Sequence, residues 1–101
     1  MNVRVKIFGN LKKKLDLKDD GAGIPTIINI EFENDSAIIK DLFDKLSLDI
    51  EETSHIFVNG DYAGLKRKIR EGDTIAIFPR DMALLYKWYF NREGDIERRE
   101  Y

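Results

Sequence analysis

Apolar residues recur along this chain at two spacings, and each spacing predicts a different kind of element. Val3, Val5 and Ile7 alternate with Arg4, Lys6 and Phe8, the period-two pattern of a strand with one buried face. Gly9-Asn10 interrupts it. Leu11 and Leu15 then stand four apart around Lys12, Lys13 and Lys14, which predicts a short helical turn with its lysines outward. Residues 18–25, KDDGAGIP, read as a loop, because Gly21, Gly23 and Pro25 all disfavour regular structure. From Thr26 to Phe32 the alternation returns, with Ile28, Ile30 and Phe32 on one face. Only 17 residues separate Phe8 from Thr26, so an antiparallel hairpin with a long tip is the simplest pairing.

The spacing then changes. Ile38, Ile39, Leu42, Phe43 and Leu46 form one apolar stripe, with Lys40, Asp41, Asp44 and Lys45 turned away, the signature of a half-buried helix. Ser36 stands where its N-cap is expected. Residues 47–54 read as a polar connection carrying Asp49, Glu51 and Glu52. Ile56-Phe57-Val58 is a strand closed by Asn59-Gly60, the dipeptide that most readily supplies two successive positive-φ residues. Leu65 and Ile69, four apart, predict a turn of helix that lays both on the core. Glu71-Gly72-Asp73 is a second turn, and Thr74 to Phe78 a last strand that Pro79 ends. Phe8, Phe32, Phe43, Phe57 and Phe78 are expected to be buried with the Ile and Leu set.

Two strands, a helix and further short strands give an α+β order of the β-grasp kind. It predicts a mixed sheet of four or five strands, crossed by one long helix, with the first and last strands parallel at its centre. At 101 residues this is one domain. Hydrophobic residues make up 43%, too many for a disordered chain, and no apolar run is long enough to span a bilayer. The N-terminal residues MNVRVKIF enter a strand pattern directly, which argues against a signal peptide and for a cytoplasmic location. With no cysteine and one histidine, His55, neither a thiolate metal site nor a cysteine nucleophile is available. A net charge of −2 provides no global field for nucleic acid. Charged residues nevertheless reach 36%, a level suited to a well-solvated surface.

The motifs together carry a resemblance. A first strand running into Phe8, then Gly9-x-Leu11-x-x-x-Leu15, the Asn59-Gly60 turn, Leu65-x-x-x-Ile69, Glu71-Gly72-Asp73 and a last strand ending in Phe78-Pro79 resemble the MoaD/ThiS family. These are the ubiquitin-like sulfur carriers of molybdopterin and thiamine biosynthesis, and the molybdopterin synthase small subunit is the member most similar in look. The resemblance covers residues 1–79 and implies the β-grasp fold there. It also implies a C-terminal Gly-Gly, whose carboxylate an activating enzyme adenylates and converts to a sulfur-donating thiocarboxylate. Here 22 residues follow Pro79, Gly94 stands alone before Asp95, and no Gly-Gly occurs. No catalytic residue is therefore carried over, and no cofactor or metal ligand is expected.

Residues 80–101 form a C-terminal extension with an expected helix at about 82–91 and a charged tail. Asp81 suits an N-cap and Gly94 falls just past the end. Met82, Leu85, Tyr86 and Tyr89 follow helical spacing, while Leu84, Trp88 and Phe90 occupy another flank. A helix apolar around most of its girth needs more than one surface to cover it. Leu84, Leu85, Tyr86, Trp88, Tyr89 and Phe90 are thus a candidate interface, docked on the domain itself, on a partner or on a second copy. A membrane-surface role is disfavoured because only Lys87 is basic within the helix body. Lys66, Arg67, Lys68 and Arg70 make a weaker basic patch, more readily a solvated face than a phosphate site; His55 is read as an edge or turn residue.

These readings give a non-enzymatic interaction module of sulfur-carrier descent, with a protein partner such as a molybdopterin-synthase-like large subunit or an activating enzyme. The alternatives are a divergent sulfur carrier of molybdopterin or thiamine biosynthesis and an RNA- or nucleotide-associated β-grasp domain.

Overall fold

The computed structural model describes residues 1–18 and 24–80. The strands are β1 (Asn2–Ile7), β2 (Thr26–Glu31), β3 (Thr53–Val58), β4 (Asp61–Tyr62) and β5 (Thr74–Pro79), with helices α1 (Leu11–Lys14) and α2 (Ile39–Leu46). They form one five-stranded mixed sheet in the order β2-β1-β5-β3-β4. β1 pairs antiparallel with β2 and parallel with β5, so the first and last strands lie together near the centre, as expected. β3 is antiparallel to both β5 and β4.

Alternation decides the two faces. Val3, Val5, Ile7, Ile56, Val58, Ile75 and Ile77 all point to one side, where they join Leu11, Ile39, Leu42, Phe43, Leu48 and Ile69 in a single buried cluster. Ile28, Ile30, Phe32 and Leu46 pack at its margin. This set of branched side chains, each worth roughly 1.5–3 kcal/mol when buried, is the main favourable term in the fold. Lys40 and Asp44 pair on the solvent side of α2 at 3.1 Å, as the stripe predicted.

The turns follow their chemistry. Asn59 and Gly60 have φ of 53° and 87°, both in the left-handed region that lets a two-residue loop match the twist of a hairpin. Gly72 has φ of 83°.

Four expectations need correction. Ser36 is not the N-cap: its hydroxyl and its N–H both donate to the Asn34 side chain, and α2 starts three residues later. Residues Ala37 and Ile38 are instead recruited by the crossover after β4. Ile38 bridges Lys68, Ile69 N–H donates to the Ala37 carbonyl, and the Arg67 and Leu65 carbonyls take the Ile39 and Lys40 N–H groups, all at 2.9 Å. The first N–H groups of the helix are thus satisfied from across the chain, and the Asp41 carboxylate accepts from Ile38 N–H at 2.8 Å. The same bonds explain the second correction. The segment from Leu65 to Ile69 is a turn followed by extended backbone, because its carbonyls serve α2 rather than a helix of their own. Ile69 is nonetheless buried and Leu65 packs against the core.

Third, Lys12 does not face outward. It is fully buried and its ammonium donates to the Ile24 carbonyl, so it straps the far end of the β1–β2 loop to α1 while Lys13 and Lys14 remain outside. Fourth, β3 begins at Thr53, after a 3₁₀ turn at Ile50–Glu52, so the polar connection is shorter than the sequence suggests. The loop tip at 19–23 and the extension from 81 onward, with its expected helix, lie outside the described residues.

Candidate functional site

The side of the sheet away from α2 carries an aromatic cluster. Parity places it there. If Val3, Val5 and Ile7 point inward, Phe8 must point outward, and Ile75/Ile77 and Ile56/Val58 likewise send Phe78 and Phe57 out. Of these five phenylalanines Phe43 is in the aliphatic cluster and Phe32 at its margin; Phe57 is buried as expected, at 8% exposure, but on the opposite face, where Phe8 and Phe78 are only half-buried.

The register then brings the rings together. Phe8 follows β1 and stacks on Phe78 of β5 with centroids 4.2 Å apart and planes 9° from parallel. Phe57 meets Phe78 edge-on at 5.8 Å. Phe57 also sits opposite Tyr62 across the β3–β4 hairpin, with centroids at 4.5 Å. His55, two residues before Phe57 on the same face, lies 5.3 Å from the Tyr62 ring. His55 is not an edge or turn residue. It sits inside β3, between β5 and β4, and is only 6% exposed. Tyr62 was missed by sequence reasoning, since the two residues of β4 are too few to show a period. The Asn59-Gly60 turn contained the signal: a two-residue hairpin obliges Tyr62 to face Phe57.

β5 delivers the chain from this cluster to the candidate interface of the extension. Arg80, just past Pro79, donates from its guanidinium to the Glu51 carbonyl at 3.2 Å, which ties the exit point to the 3₁₀ turn. Leu84, Leu85, Tyr86, Trp88, Tyr89 and Phe90 lie outside the described residues. Alongside the exit, Lys14 and Glu52 form an ion pair at 2.5 Å, next to a cleft of about 410 Å³ lined also by Asn10, Leu11 and Arg80. The ammonium of Lys14, together with the Asp49 N–H, holds the Glu52 carboxyl below the usual range.

The four basic residues are brought together. Lys66, Arg67, Lys68 and Arg70 line one cleft of about 410 Å³ with Asn59 and Asp73. Among the described residues, no group of three or more His, Asp or Glu side chains has the placement to hold a metal ion. Nor is any described helix long and apolar enough to cross a membrane.

Comparison with known proteins agrees with the architecture. SAMP1 from Haloferax volcanii superposes with a TM-score of 0.60 at 17% identity, over 78% of this chain and 94% of that one. A Pyrococcus furiosus protein described as molybdopterin converting factor, subunit 1, gives 0.59 at 20% identity, over 78% and 97%. At these identities the likeness is one of fold, and the fold is the ubiquitin-like β-grasp of the small carriers and modifiers. A search of the curated proteins finds no significant match. The family described as Mut7-C ubiquitin matches residues 2–84, across the whole sheet and into the start of the extension, and the chain belongs to that ubiquitin-like family.

Proposed function

We propose that this chain is a non-enzymatic protein-interaction module: a β-grasp body, residues 1–79, whose docking surface is the aromatic outer face, enlarged by Leu84, Leu85, Tyr86, Trp88, Tyr89 and Phe90 of the extension. The observation that supports this reading most is the cluster itself. Phe8, Phe57, Tyr62, Phe78 and His55 are gathered on the side of the sheet that α2 does not cover, and stacked and edge-on aromatic rings are the material of interface hot spots. The fold neighbours include a protein described as a subunit, which fits a role fulfilled in a complex. The partner is another protein, and a molybdopterin-synthase-like large subunit or an activating enzyme is the first to test.

Within these 101 residues there is no Gly-Gly to enter an activating enzyme, where side chains at the last two positions would meet the channel walls. On this reading the module docks without being charged with sulfur. The test is to mix the chain with a sulfur-carrier activating enzyme, ATP and a sulfur source, and separately with a molybdopterin synthase large subunit. The expected result is a complex that Phe8→Ser and Phe57→Ser weaken at least about tenfold, since interface aromatics contribute around 2 kcal/mol or more each. The intact mass of the chain should stay unchanged. Replacement of a carboxyl oxygen by sulfur, seen as a mass gain, would overturn this reading in favour of a divergent sulfur carrier.

A further inference from the structure

The basic cleft is built differently from an ordinary solvated face. Lys66, Arg67, Lys68 and Arg70 are four cations in five consecutive positions, and Ile69 interrupts them by turning into the core. Extended backbone on either side of Ile69 sends Lys68 and Arg70 to the same, solvent side. The backbone that carries them is fixed. Arg67 and Leu65 give their carbonyls to α2, Ile69 N–H is held by Ala37, and Arg67 N–H returns to the Gly64 carbonyl at 3.2 Å. The opposite wall is braced as well. Asn59 gives its amide to one Asp73 oxygen at 2.8 Å and takes Thr74 N–H on its own carbonyl at 2.9 Å.

The electrostatics are one-sided. Among the described residues Asp73 is the only carboxylate lining the cleft, and it is committed to the Asn59 amide and to the Arg70 backbone N–H at 2.8 Å. Among the described residues none of the four cationic side chains takes part in an ion pair; the pairs formed are Lys14–Glu52 and Lys40–Asp44. A chain of net charge −2 thus sets four positive charges against the Asp73 carboxylate in this cleft, with Asp35 in the adjoining cleft that Lys68 and Arg70 also line. No aromatic side chain among the described residues lines the cleft, so they offer no ring for a base to stack on.

We propose that the cleft of Lys66, Arg67, Lys68 and Arg70 is a binding site for clustered phosphates, taking adjacent phosphate groups of a polyphosphate or of a phosphodiester chain and reading no base. It stands independently of the docking-face reading, since it lies on the crossover and turns rather than on the sheet. Two sources share this chemistry: a small polyphosphate, as in a nucleoside triphosphate, and the backbone of a single-stranded nucleic acid.

The test uses the full chain with inorganic triphosphate by calorimetry and with short labelled oligouridylate and oligoadenylate by fluorescence anisotropy, all at low salt. At least one of the two phosphate sources binds. If triphosphate binds and the oligonucleotides do not, the ligand is a small polyphosphate; the reverse assigns a nucleic-acid backbone. Wherever oligonucleotides bind, the two base compositions bind alike. Oligonucleotide affinity falls with salt at a slope of roughly −0.7 per phosphate contacted, so four contacts lose about 50-fold between 50 and 200 mM.

The variant Lys66→Gln/Lys68→Gln/Arg70→Gln, which leaves every backbone bond of the crossover in place, binds at least about tenfold more weakly. A control with the same loss of charge elsewhere, Lys6→Gln/Lys13→Gln/Lys45→Gln, stays within about twofold of the parent, since screened charges outside the cleft contribute little. The single change Lys68→Gln gives a smaller loss in the same direction and serves if the triple variant is unstable. The proposal is overturned if neither phosphate source binds at low salt, if the two triple variants lose affinity equally, or if poly-glutamate competes as well as triphosphate.

Discussion

The two faces of this one sheet are made by the same strands yet are furnished with different side chains. The face under α2 is aliphatic, with Val3, Val5, Ile7, Ile56, Val58, Ile75 and Ile77 all at 3% exposure or less. On the other face Arg4, Lys6 and Asn29 share space with Phe8, Phe57, Tyr62 and Phe78. Branched aliphatics fill a closed interior in few rotamers, whereas aromatic rings present large apolar area with a defined geometry at a surface. The inner face therefore accounts for stability, the outer face is the one the proposed function assigns to recognition, and substitutions matched across the sheet can separate the two.

The largest effect belongs to the inner face. Ile77 is fully buried, and its strand lies between those of Ile7 and Ile56. Ile77→Ala removes methyl groups from the centre of the core and is expected to cost about 2–5 kcal/mol. Urea unfolding should show the midpoint falling at unchanged slope; a shift below 1 kcal/mol would mean that the core repacks and that the division between the faces is wrong.

The extension comes next. If residues 82–90 cover part of the outer face, truncation after Arg80 removes aromatic burial of about 150–250 Å² per ring, offset by the entropy of ordering the segment. A net loss on the order of 1–3 kcal/mol is expected, or a newly exposed patch that drives association. Trp88, the only tryptophan, reports which surface is used. Blue-shifted, quencher-protected emission that does not change with dilution means docking within the chain. Protection that grows with concentration means a dimer through the extension. Full quenching at every concentration would remove the extension from the docking surface.

A smaller effect is expected from Phe8→Ala. Phe8 is half-buried and stacks on Phe78 at 4.2 Å, an arrangement worth roughly 0.5–1.5 kcal/mol beyond area burial. Stability should fall by about 1–2 kcal/mol, less than for Ile77→Ala, while partner binding falls more than in any inner-face variant that remains folded. Equal losses of stability from Phe8→Ala and Ile77→Ala would erase the distinction.

Much of this was legible in the sequence, and the reason is periodicity. The inner face follows from alternation alone, and the parallel pairing of β1 with β5 follows from the order of elements. The Asn59-Gly60 and Glu71-Gly72-Asp73 turns were readable because positive φ selects so few residues. What was hidden depended on partners distant in the chain. Ser36 has the chemistry of a cap, but carbonyls from Leu65 and Arg67 reach the helix start first. Lys12 has the chemistry of a surface residue, and it is the fold that brings the Ile24 carbonyl to its ammonium. The aromatic cluster was within reach: the parity that puts Ile77 inside also puts Phe78 outside, although hydrophobicity alone would place both in the core. The basic cleft was visible as a run of residues; its concavity, and the absence of ion pairs to it among the described residues, depend on the fold.

The smallest expected effect lies at the exit of the sheet, where the Lys14–Glu52 pair flanks Arg80. The Lys14 ammonium bonds the Glu52 carboxylate at 2.5 Å, and the Asp49 N–H donates to its other oxygen at 2.9 Å. Both favour the charged form, so the Glu52 pKa in the folded chain lies below its ordinary value, against a small opposing effect of desolvation. A group whose folded pKa is depressed contributes stability that is fully present above its unfolded pKa and is lost as pH falls through the folded one. The parent chain should therefore be slightly more stable than Glu52→Gln at neutral pH, with the difference closing on acidification below the ordinary carboxylate range. Because the pair is at the surface, added salt should shrink the gap at neutral pH as well. Denaturant midpoints of the two chains, measured across that pH range at two salt concentrations, give the difference directly. A gap that persists unchanged at low pH would mean that Glu52 acts through packing at the 3₁₀ turn, and the pair would then have no part in holding the exit of the chain.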